Sequence, residues 1–162
     1  MKTQVLETRI DILEPQDLQA EEALLLEKAR QACATAYAPY SHFQVGAAVL
    51  LADGTIVTGS NQENAAFPSG MCAERTALFS AVANYPDVPV RAIAIAAFTD
   101  GNFTEKPVSP CGACRQVMLG IEERSGDAVR VLLYGTEGIY RVGSVRTLLP
   151  LQFGEESLGS RS

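Results

Sequence analysis

Three cysteines, Cys72, Cys111 and Cys114, constrain the fold of this chain more than any other feature of its sequence. Cys111 and Cys114 are three positions apart, so both sulfurs can face one point if they lie at the start of a helix. Cys72 comes 39 positions before Cys111 (111 minus 72), a spacing long enough for a strand between two helices. A fold that brings the three sulfurs together must place two helix starts at one edge of a sheet.

These three sulfurs predict a zinc site. Thiolates are soft ligands that suit Zn²⁺, and three protein ligands leave the fourth tetrahedral position open to water, as in catalytic rather than structural sites. Glu74 lies two positions after Cys72, next to that fourth position, which makes it a candidate proton shuttle. The alternative is that Glu74 only complements the dipole at a helix start.

An arginine follows each cluster, Arg75 after Cys72-Ala73-Glu74 and Arg115 after Cys114. Three thiolates and one Zn²⁺ carry a net charge of about −1, which weakens the metal as a Lewis acid. We expect both guanidinium groups to donate hydrogen bonds to ligand sulfurs and to withdraw charge from them. The alternative is that both are solvated surface arginines.

The remaining candidate ligands lie outside the clusters. Cys33 falls on the apolar stripe of a predicted helix, where a small core residue is expected. His42, the only histidine, belongs to neither cluster and is expected at the surface. The predicted zinc site therefore has cysteine ligands only.

Length and composition limit the classes of protein to consider. The 162 residues fit a single domain, with 1–14 and 155–162 as candidate loose ends. The net charge of −6 and the scattered lysines and arginines argue against a polynucleotide partner. No apolar run is long enough to span a membrane. The N-terminus does not read as a secretory signal, so a cytoplasmic location is expected, and with it metal-binding rather than disulfide-bonded cysteines.

Hydrophobic periodicity predicts an α/β domain. Predicted helices cover 17–36, 72–84 and 112–123, and predicted strands cover 43–51, 55–58, 92–98, 129–134 and 139–145. Asp53-Gly54 predicts a hairpin between the first two strands. The result is a mixed five-stranded sheet between helices, a three-layer α/β/α architecture with both cysteine clusters at helix starts.

The clusters fit a wider pattern, since C-A-E followed by P-C-G-A-C resembles the signature of zinc nucleobase deaminases. Four separated blocks together resemble the cytidine deaminases of the small, homotetrameric, all-cysteine type: 40–48 (YSHFQVGAA), 61–65 (NQENA), 72–77 (CAERTA) and 110–116 (PCGACRQ). The resemblance extends from about Tyr37 to Phe153.

This resemblance implies a fold and an activity. The fold would be that of the cytidine deaminases, and the activity would be hydrolytic deamination of cytidine and 2′-deoxycytidine to the uridines and ammonia, a step of pyrimidine salvage. It also implies one Zn²⁺ per subunit, a small nucleoside as substrate, and a homotetramer with active sites at subunit interfaces.

The resemblance also implies substrate contacts. Asn61 and Glu63 would bind ribose hydroxyls, and Phe43 would pack on the pyrimidine. The backbone of Ala73 would fix the C2 carbonyl, and the carbonyl of Ser109 would face the departing ammonia.

Two further implied contacts cross subunits. Phe153, in an L-P-x-x-F segment, would stack on the base in a neighbouring site. Phe67 stands where the family commonly has a tyrosine, so the aromatic face is kept and the hydroxyl is lost.

Two alternatives remain at this point. The chain could be a deaminase of a related aminopyrimidine such as blasticidin S, because Phe67 leaves the sugar contacts less defined. It could also be a non-enzymatic protein with a structural zinc or a redox Cys-x-x-Cys. The second alternative gives no reason for Glu74 or for the 61–65 block.

Overall fold

The computed structural model describes residues 1–159, so the last three residues of the expected loose end 155–162 lie outside the described part. Its strands and helices, in chain order, are β1 Asp11–Leu13, α1 Ala20–Ala32, β2 Gln44–Leu51, β3 Ile56–Ser60, α2 Ala73–Asn84, β4 Val90–Thr99, β5 Asn102–Phe103, α3 Gly112–Ser125, β6 Arg130–Leu133 and β7 Ile139–Val142. No helix in this part of the chain is both long and apolar enough to cross a membrane.

The strands form one mixed sheet in the order β1-β7-β6-β4-β2-β3, and β5 pairs with the end of β4. Within residues 1–159 the sheet therefore has seven strands and not the five expected from the sequence. The two additional strands, β1 and β5, are only three and two residues long, too short to give a periodic signal. β1 pairs antiparallel with β7, so this part of the expected loose N-terminus joins the sheet edge.

Helices cover both faces of the sheet, as the apolar sequence of β4 predicts. On one face, α1 packs through Leu25, Leu26 and Ala29. On the other face, α2 and α3 pack through a cluster that includes Leu78 and Met118. The predicted three-layer α/β/α architecture is confirmed.

Two glycines allow the helices to approach the sheet closely. A Cβ on Gly46 of β2 would overlap the carbonyl oxygen of Ala29 in α1 and lie 2.6 Å from the Cys33 nitrogen. A Cβ on Gly59 of β3 would lie 2.5 Å from the Ala77 nitrogen in α2. Larger residues at these positions would push the helices outward, and α2 would carry Cys72 with it.

The crossovers place the cysteine clusters together. β4 and β6 are parallel. Because β3 and β4 are both antiparallel to β2, they are also parallel to each other. α2 follows β3, and α3 follows β4 after the short strand β5 and the loop 104–111. Both helices begin at the edge where β3 and β4 have their carboxyl ends. Ligand sites of open α/β sheets lie at this edge.

The last strand is shorter than predicted. It ends at Val142 and not Val145, because a 3₁₀ turn at Val145–Leu148 follows. The first helix begins at Ala20, after a separate 3₁₀ turn at Pro15–Asp17, and a further 3₁₀ turn follows it at Cys33–Thr35.

The buried carboxylate of Glu122, near the end of α3, binds the residue before β6 and the turn that follows β7. Glu122 accepts hydrogen bonds from the backbone nitrogens of Val129, at 2.8 Å, and Val145, at 2.9 Å, and from the Ser144 hydroxyl, at 2.7 Å. Removing the acceptor would leave two buried N–H groups without their partner.

We expect Glu122→Ala to lower the free energy of unfolding by about 2–5 kcal/mol, because each unsatisfied buried donor costs about 1–3 kcal/mol. Chemical denaturation measures this change. Glu137→Ala, at an exposed carboxylate, is the control and should change stability by less than about 0.5 kcal/mol. Equal stability of the two variants would show that the Glu122 bonds contribute nothing.

Candidate active site

The cysteines lie at the starts of α2 and α3. Cys72 and Cys111 are the N-cap residues, with extended backbone conformations (ψ 151° and 167°), and Cys114 lies in the first turn of α3. The positive end of each helix dipole therefore points toward the thiolates and favours their ionised form.

The three sulfurs lie within 4.8 Å of one another. Zn–S bonds of about 2.3 Å at tetrahedral angles place ligand sulfurs about 3.8 Å apart, so the cluster fits a Zn²⁺ with small adjustments. Cys114 is buried, Cys72 is half-buried and Cys111 is exposed. The metal position is therefore closed on the side of Cys114 and open on the side of Cys111.

The protonation of the thiols also fits a bound cation. Burial raises the pKa of Cys114 strongly. Burial also acts to raise the pKa of Cys111, but hydrogen bonds from Cys114 and Cys72 outweigh it and lower that pKa. The surroundings in the protein thus shift the pKa values of these two neighbouring thiols in opposite directions. A divalent cation would hold all three sulfurs ionised, which is the zinc chemistry predicted from the sequence.

Glu74 lies in the first turn of α2 and is 5% exposed. Burial raises the pKa of its carboxyl, while hydrogen bonds to its own backbone and to Cys114 partly oppose this. A buried carboxyl with a raised pKa is suited to taking up and releasing a proton during a reaction.

Arg75 contacts the cluster as expected. Its Nη2 donates to the Cys72 sulfur at 3.4 Å. Its Nε is buried and has no hydrogen-bond partner among the described residues.

A cavity of about 200 Å³ opens beside the sulfurs. Its wall combines the predicted chemical groups with apolar side chains: Val45, Asn61, Cys72, Ala73, Glu74, Ile95, Val108, Ser109 and Cys111. The cavity is small and mostly apolar, and Glu74 is the one carboxylate among the described residues of its wall. It can hold a flat heterocycle with one edge toward the sulfurs.

Comparison with known families agrees with this chemistry. The profile of the cytidine and deoxycytidylate deaminase zinc-binding region matches residues 19–125, more than half of the chain. The chain belongs to this family. Among curated relatives, the cytidine deaminases of Halalkalibacterium halodurans and Sporosarcina psychrophila are each 44% identical to it. These alignments cover 83% of this chain, and 96% and 92% of the respective relatives.

Solved structures of the family share the fold. The cytidine deaminase from Burkholderia pseudomallei superposes with a TM-score of 0.68 at 44% identity, over 80% of this chain and 97% of that one. The enzyme from Mycobacterium tuberculosis gives 0.62 at 34% identity, over 81% and 95%. The fold and the zinc chemistry predicted from the sequence are thus confirmed, and neither the blasticidin S alternative nor the structural-zinc alternative is favoured.

A second, larger cavity of about 550 Å³ adjoins the first and shares Asn61 and Cys72 with it. Glu63 and Phe67, two residues expected near the deaminase substrate, line it, and so does Arg75. The structure thus brings the residues of the 61–65 block to the same edge as the cysteines.

Asn61 and Glu63 also hold the loop before β2. The Asn61 amide accepts from the Val45 nitrogen at 2.8 Å and donates to the Phe43 carbonyl at 2.9 Å. Glu63 accepts from the Ser41 hydroxyl and from the Tyr40 nitrogen, the latter at 2.9 Å. The hydrogen bond from the Ser41 hydroxyl is the main cause that lowers the pKa of Glu63, which favours its ionised form.

The three phenylalanines that were predicted to contact the substrate lie in three different environments. Phe67 is 73% exposed at the mouth of the larger cavity, where its ring packs edge-on against Tyr40 with centroids 5.7 Å apart. Phe43 is half-buried and is not part of either cavity wall. Phe153 is 62% exposed, and its carbonyl accepts from Gln116 Nε2 at 2.7 Å.

Arg115 differs from the expectation. Among the described residues it makes no hydrogen bond to a ligand sulfur. Its Nε donates to the Pro110 carbonyl at 2.9 Å, and its Nη1 donates to the Leu148 carbonyl at 3.0 Å. The physical reason is its place in the first turn of α3, where the preceding loop and residue 148 lie within its reach.

The other expectations concern residues outside the cluster. Cys33 is buried in the core beneath α1, and its thiol contacts the Ala96 carbonyl at 3.4 Å. His42 is exposed, with a left-handed backbone (φ 56°). Sequence reasoning missed Tyr40 and Ser41 as partners of Glu63. Their place in the 40–48 block is the only sequence signal that could have indicated them.

Proposed function

We propose that this chain catalyses the hydrolytic deamination of cytidine and 2′-deoxycytidine to the corresponding uridines and ammonia, as one catalytic domain. The observation that carries the proposal is the buried carboxyl of Glu74 in the same small cavity as three converging cysteine sulfurs. The names of its close relatives as cytidine deaminases support the same substrate.

Zinc held by Cys72, Cys111 and Cys114 would supply the Lewis acidity that makes water a nucleophile near neutral pH. Glu74 is the group in the cavity that can move protons. It takes one proton from the attacking water and delivers it to ring N3. It then transfers the second proton to the amine, which leaves as ammonia while C4 keeps the oxygen. One water is consumed for each ammonia released, and Glu74 returns to its initial state.

Arg75 is proposed to tune the ligands. Its guanidinium donates to the Cys72 sulfur and so withdraws negative charge from a three-thiolate site. This keeps the metal a stronger Lewis acid than three unmodified thiolates would allow.

The two adjoining cavities suggest how the substrate lies. The base occupies the small cavity, where the backbone of Ala73 fixes the C2 carbonyl and the Ser109 carbonyl accepts from the departing amine. The sugar extends into the larger cavity beside Asn61 and Glu63. An ionised Glu63 offers a second acceptor to a ribose hydroxyl, and the Asn61 amide has one N–H left after donating to Phe43.

The charge of the site favours a nucleoside over a nucleotide or a polynucleotide. Among the described residues that line the larger cavity, Arg75 is the one cation, and it already donates to a sulfur. Glu63 would repel a phosphate. The net charge of −6 also opposes binding of long nucleic acid.

A homotetramer with active sites at subunit interfaces is part of the proposal. Phe43 would pack on the pyrimidine, and Phe67 and Phe153 would complete neighbouring sites. The high exposure of Phe67 and Phe153 in the single chain supports this, since large exposed aromatic side chains are typical of interfaces. A cytoplasmic location is proposed because thiol ligands persist in a reducing compartment.

The experiment that tests the proposed function measures ammonia release from a panel of four compounds. We expect turnover of cytidine and 2′-deoxycytidine, and kcat/KM at least about 100-fold lower for cytidine 5′-monophosphate, because of its unneutralised phosphate. Blasticidin S should also react at least about 100-fold more slowly than cytidine, if the site recognises a ribose. Faster release from blasticidin S than from cytidine would contradict the proposal.

The role of Phe153 leads to a prediction about substrate binding. We expect Phe153→Ala to raise the KM for cytidine about tenfold with zinc content unchanged, because a base–aromatic contact contributes about 1–3 kcal/mol. Leu151→Ala is the matched control, since Leu151 is 89% exposed in the same segment. An unchanged KM in Phe153→Ala would argue against base stacking.

A further inference from the structure

Hydrogen bonds near both ends of α3 hold the C-terminal segment, residues 144–155, against this helix. Near its end, Glu122 binds Ser144 and Val145. Near its start, Gln116 Nε2 donates to the Phe153 carbonyl. The same helix carries Cys111 at its N-cap and Cys114 in its first turn. α3 is thus a common frame for the metal ligands and for the segment that contains Phe153.

Arg115 connects these two parts directly. Its Nε bonds the carbonyl of Pro110, the residue before ligand Cys111, and its Nη1 bonds the carbonyl of Leu148. Both bonds are charge-assisted, and the planar guanidinium fixes their relative direction. Leu148 is itself buried in the core shared with α3, so the contact anchors the root of the segment.

We propose that Arg115 is a positioning residue for substrate binding. It fixes the C-terminal segment, and through it Phe153, relative to the zinc ligands. This inference rests on the proposed role of Phe153. Arg115 is distinguished from Arg75 in that it binds two carbonyls and not a sulfur. Its loss should therefore weaken substrate binding and leave the metal in place, because the start of α3 positions Cys111 and Cys114 without it.

The first test follows the segment itself and does not depend on activity. We expect Arg115→Gln to accelerate amide hydrogen exchange at least about tenfold in residues 146–149, where the Leu149 nitrogen donates to the Arg146 carbonyl. A glutamine cannot span both carbonyls that Arg115 binds, so this turn would open more often. Arg115→Lys, which keeps the charge and one bond, should give a smaller acceleration. Arg124→Gln is the matched control, because Arg124 Nη2 donates to the Pro86 carbonyl at 2.9 Å, away from this segment. It should leave exchange in residues 146–149 unchanged.

The second test is a double-mutant cycle on the zinc-loaded enzyme. We expect Arg115→Gln to raise the KM for cytidine about fivefold and to leave kcat within about twofold of the wild-type value. In a Phe153→Ala background, Arg115→Gln should raise the KM little further, because both substitutions remove the same contact between Phe153 and the substrate. Zinc content should stay at the wild-type level in all variants.

Three results would overturn the proposal. These are unchanged exchange in residues 146–149, an equal KM increase from Arg115→Gln with and without Phe153, or failure of both Arg115 variants to fold, which would make Arg115 a general requirement of the fold. A wild-type enzyme without activity on cytidine would reject the proposed function. The exchange experiment would still test whether Arg115 fixes the C-terminal segment.

Discussion

Glu74→Gln should give a folded, zinc-loaded protein that turns over cytidine about 10²–10⁴-fold more slowly than the wild type, the range by which a positioned proton-transfer group accelerates a reaction. Glutamine has nearly the same shape as glutamate but cannot carry a proton from water to the ring and the leaving amine. The described residues that line the small cavity include no second carboxylate, so none of them can replace Glu74. Steady-state kinetics with metal analysis measures the effect.

Stability provides the first control for this variant. Burial raises the pKa of Glu74 in the folded state. A carboxyl whose pKa is higher in the folded than in the unfolded state destabilises the fold once the pH rises above its unfolded-state pKa. Without metal at neutral pH, Glu74→Gln should therefore be at least as stable as the wild type, so lost turnover would not reflect unfolding.

A second buried carboxylate gives the matched kinetic control. Glu122→Gln alters a buried glutamate in α3 that bonds only structural partners. Its kcat should stay within about threefold of the wild-type value, as expected for a group that touches no substrate. If Glu74→Gln retained a kcat similar to that of Glu122→Gln, Glu74 would not be the proton shuttle.

Cys111→Ala should lose the metal. With two of three thiolates left, zinc per subunit should fall from about one to near zero after dialysis, and turnover should fall with it. Stability should decrease as well, because metal binding to a preformed site contributes to folding free energy. Metal analysis and thermal unfolding with and without a chelator measure both effects.

Cys33→Ala is the control for Cys111→Ala, since Cys33 is a buried cysteine outside the cluster. It should keep its zinc and lose only about 1 kcal/mol of stability through a small cavity. Full zinc occupancy in Cys111→Ala would remove this residue from the ligand set.

The parts of this structure that could be predicted from sequence depend on local signals. Cys72 and Cys111 were expected at helix starts, and the structure places them at the N-caps of α2 and α3. The apolar run of β4 indicated a strand covered on both faces. Each of these features is encoded by a short stretch of neighbouring residues and is present in the folded chain.

The missed parts depend on contacts between distant residues. β1 exists because it pairs with β7, some 130 positions later, and its three residues carry no periodic pattern. Arg115 was expected to donate a hydrogen bond to a ligand sulfur because it follows Cys114. Its guanidinium instead donates to the carbonyl of Leu148, 33 positions away. The interaction of Glu63 with Ser41 likewise joins two loops that only the fold brings together. Sequence proximity indicated which residues matter but not which atoms they contact.

The most direct measurement of the central claim follows the ultraviolet absorbance of cytidine mixed with the purified protein, before and after its metal is removed and restored. The account predicts a fall in absorbance with release of one ammonia per cytidine consumed, loss of this activity in the metal-free protein, and recovery on addition of about one Zn²⁺ per subunit. Undiminished turnover by the metal-free protein, or no turnover of cytidine by the zinc-loaded protein, would contradict it.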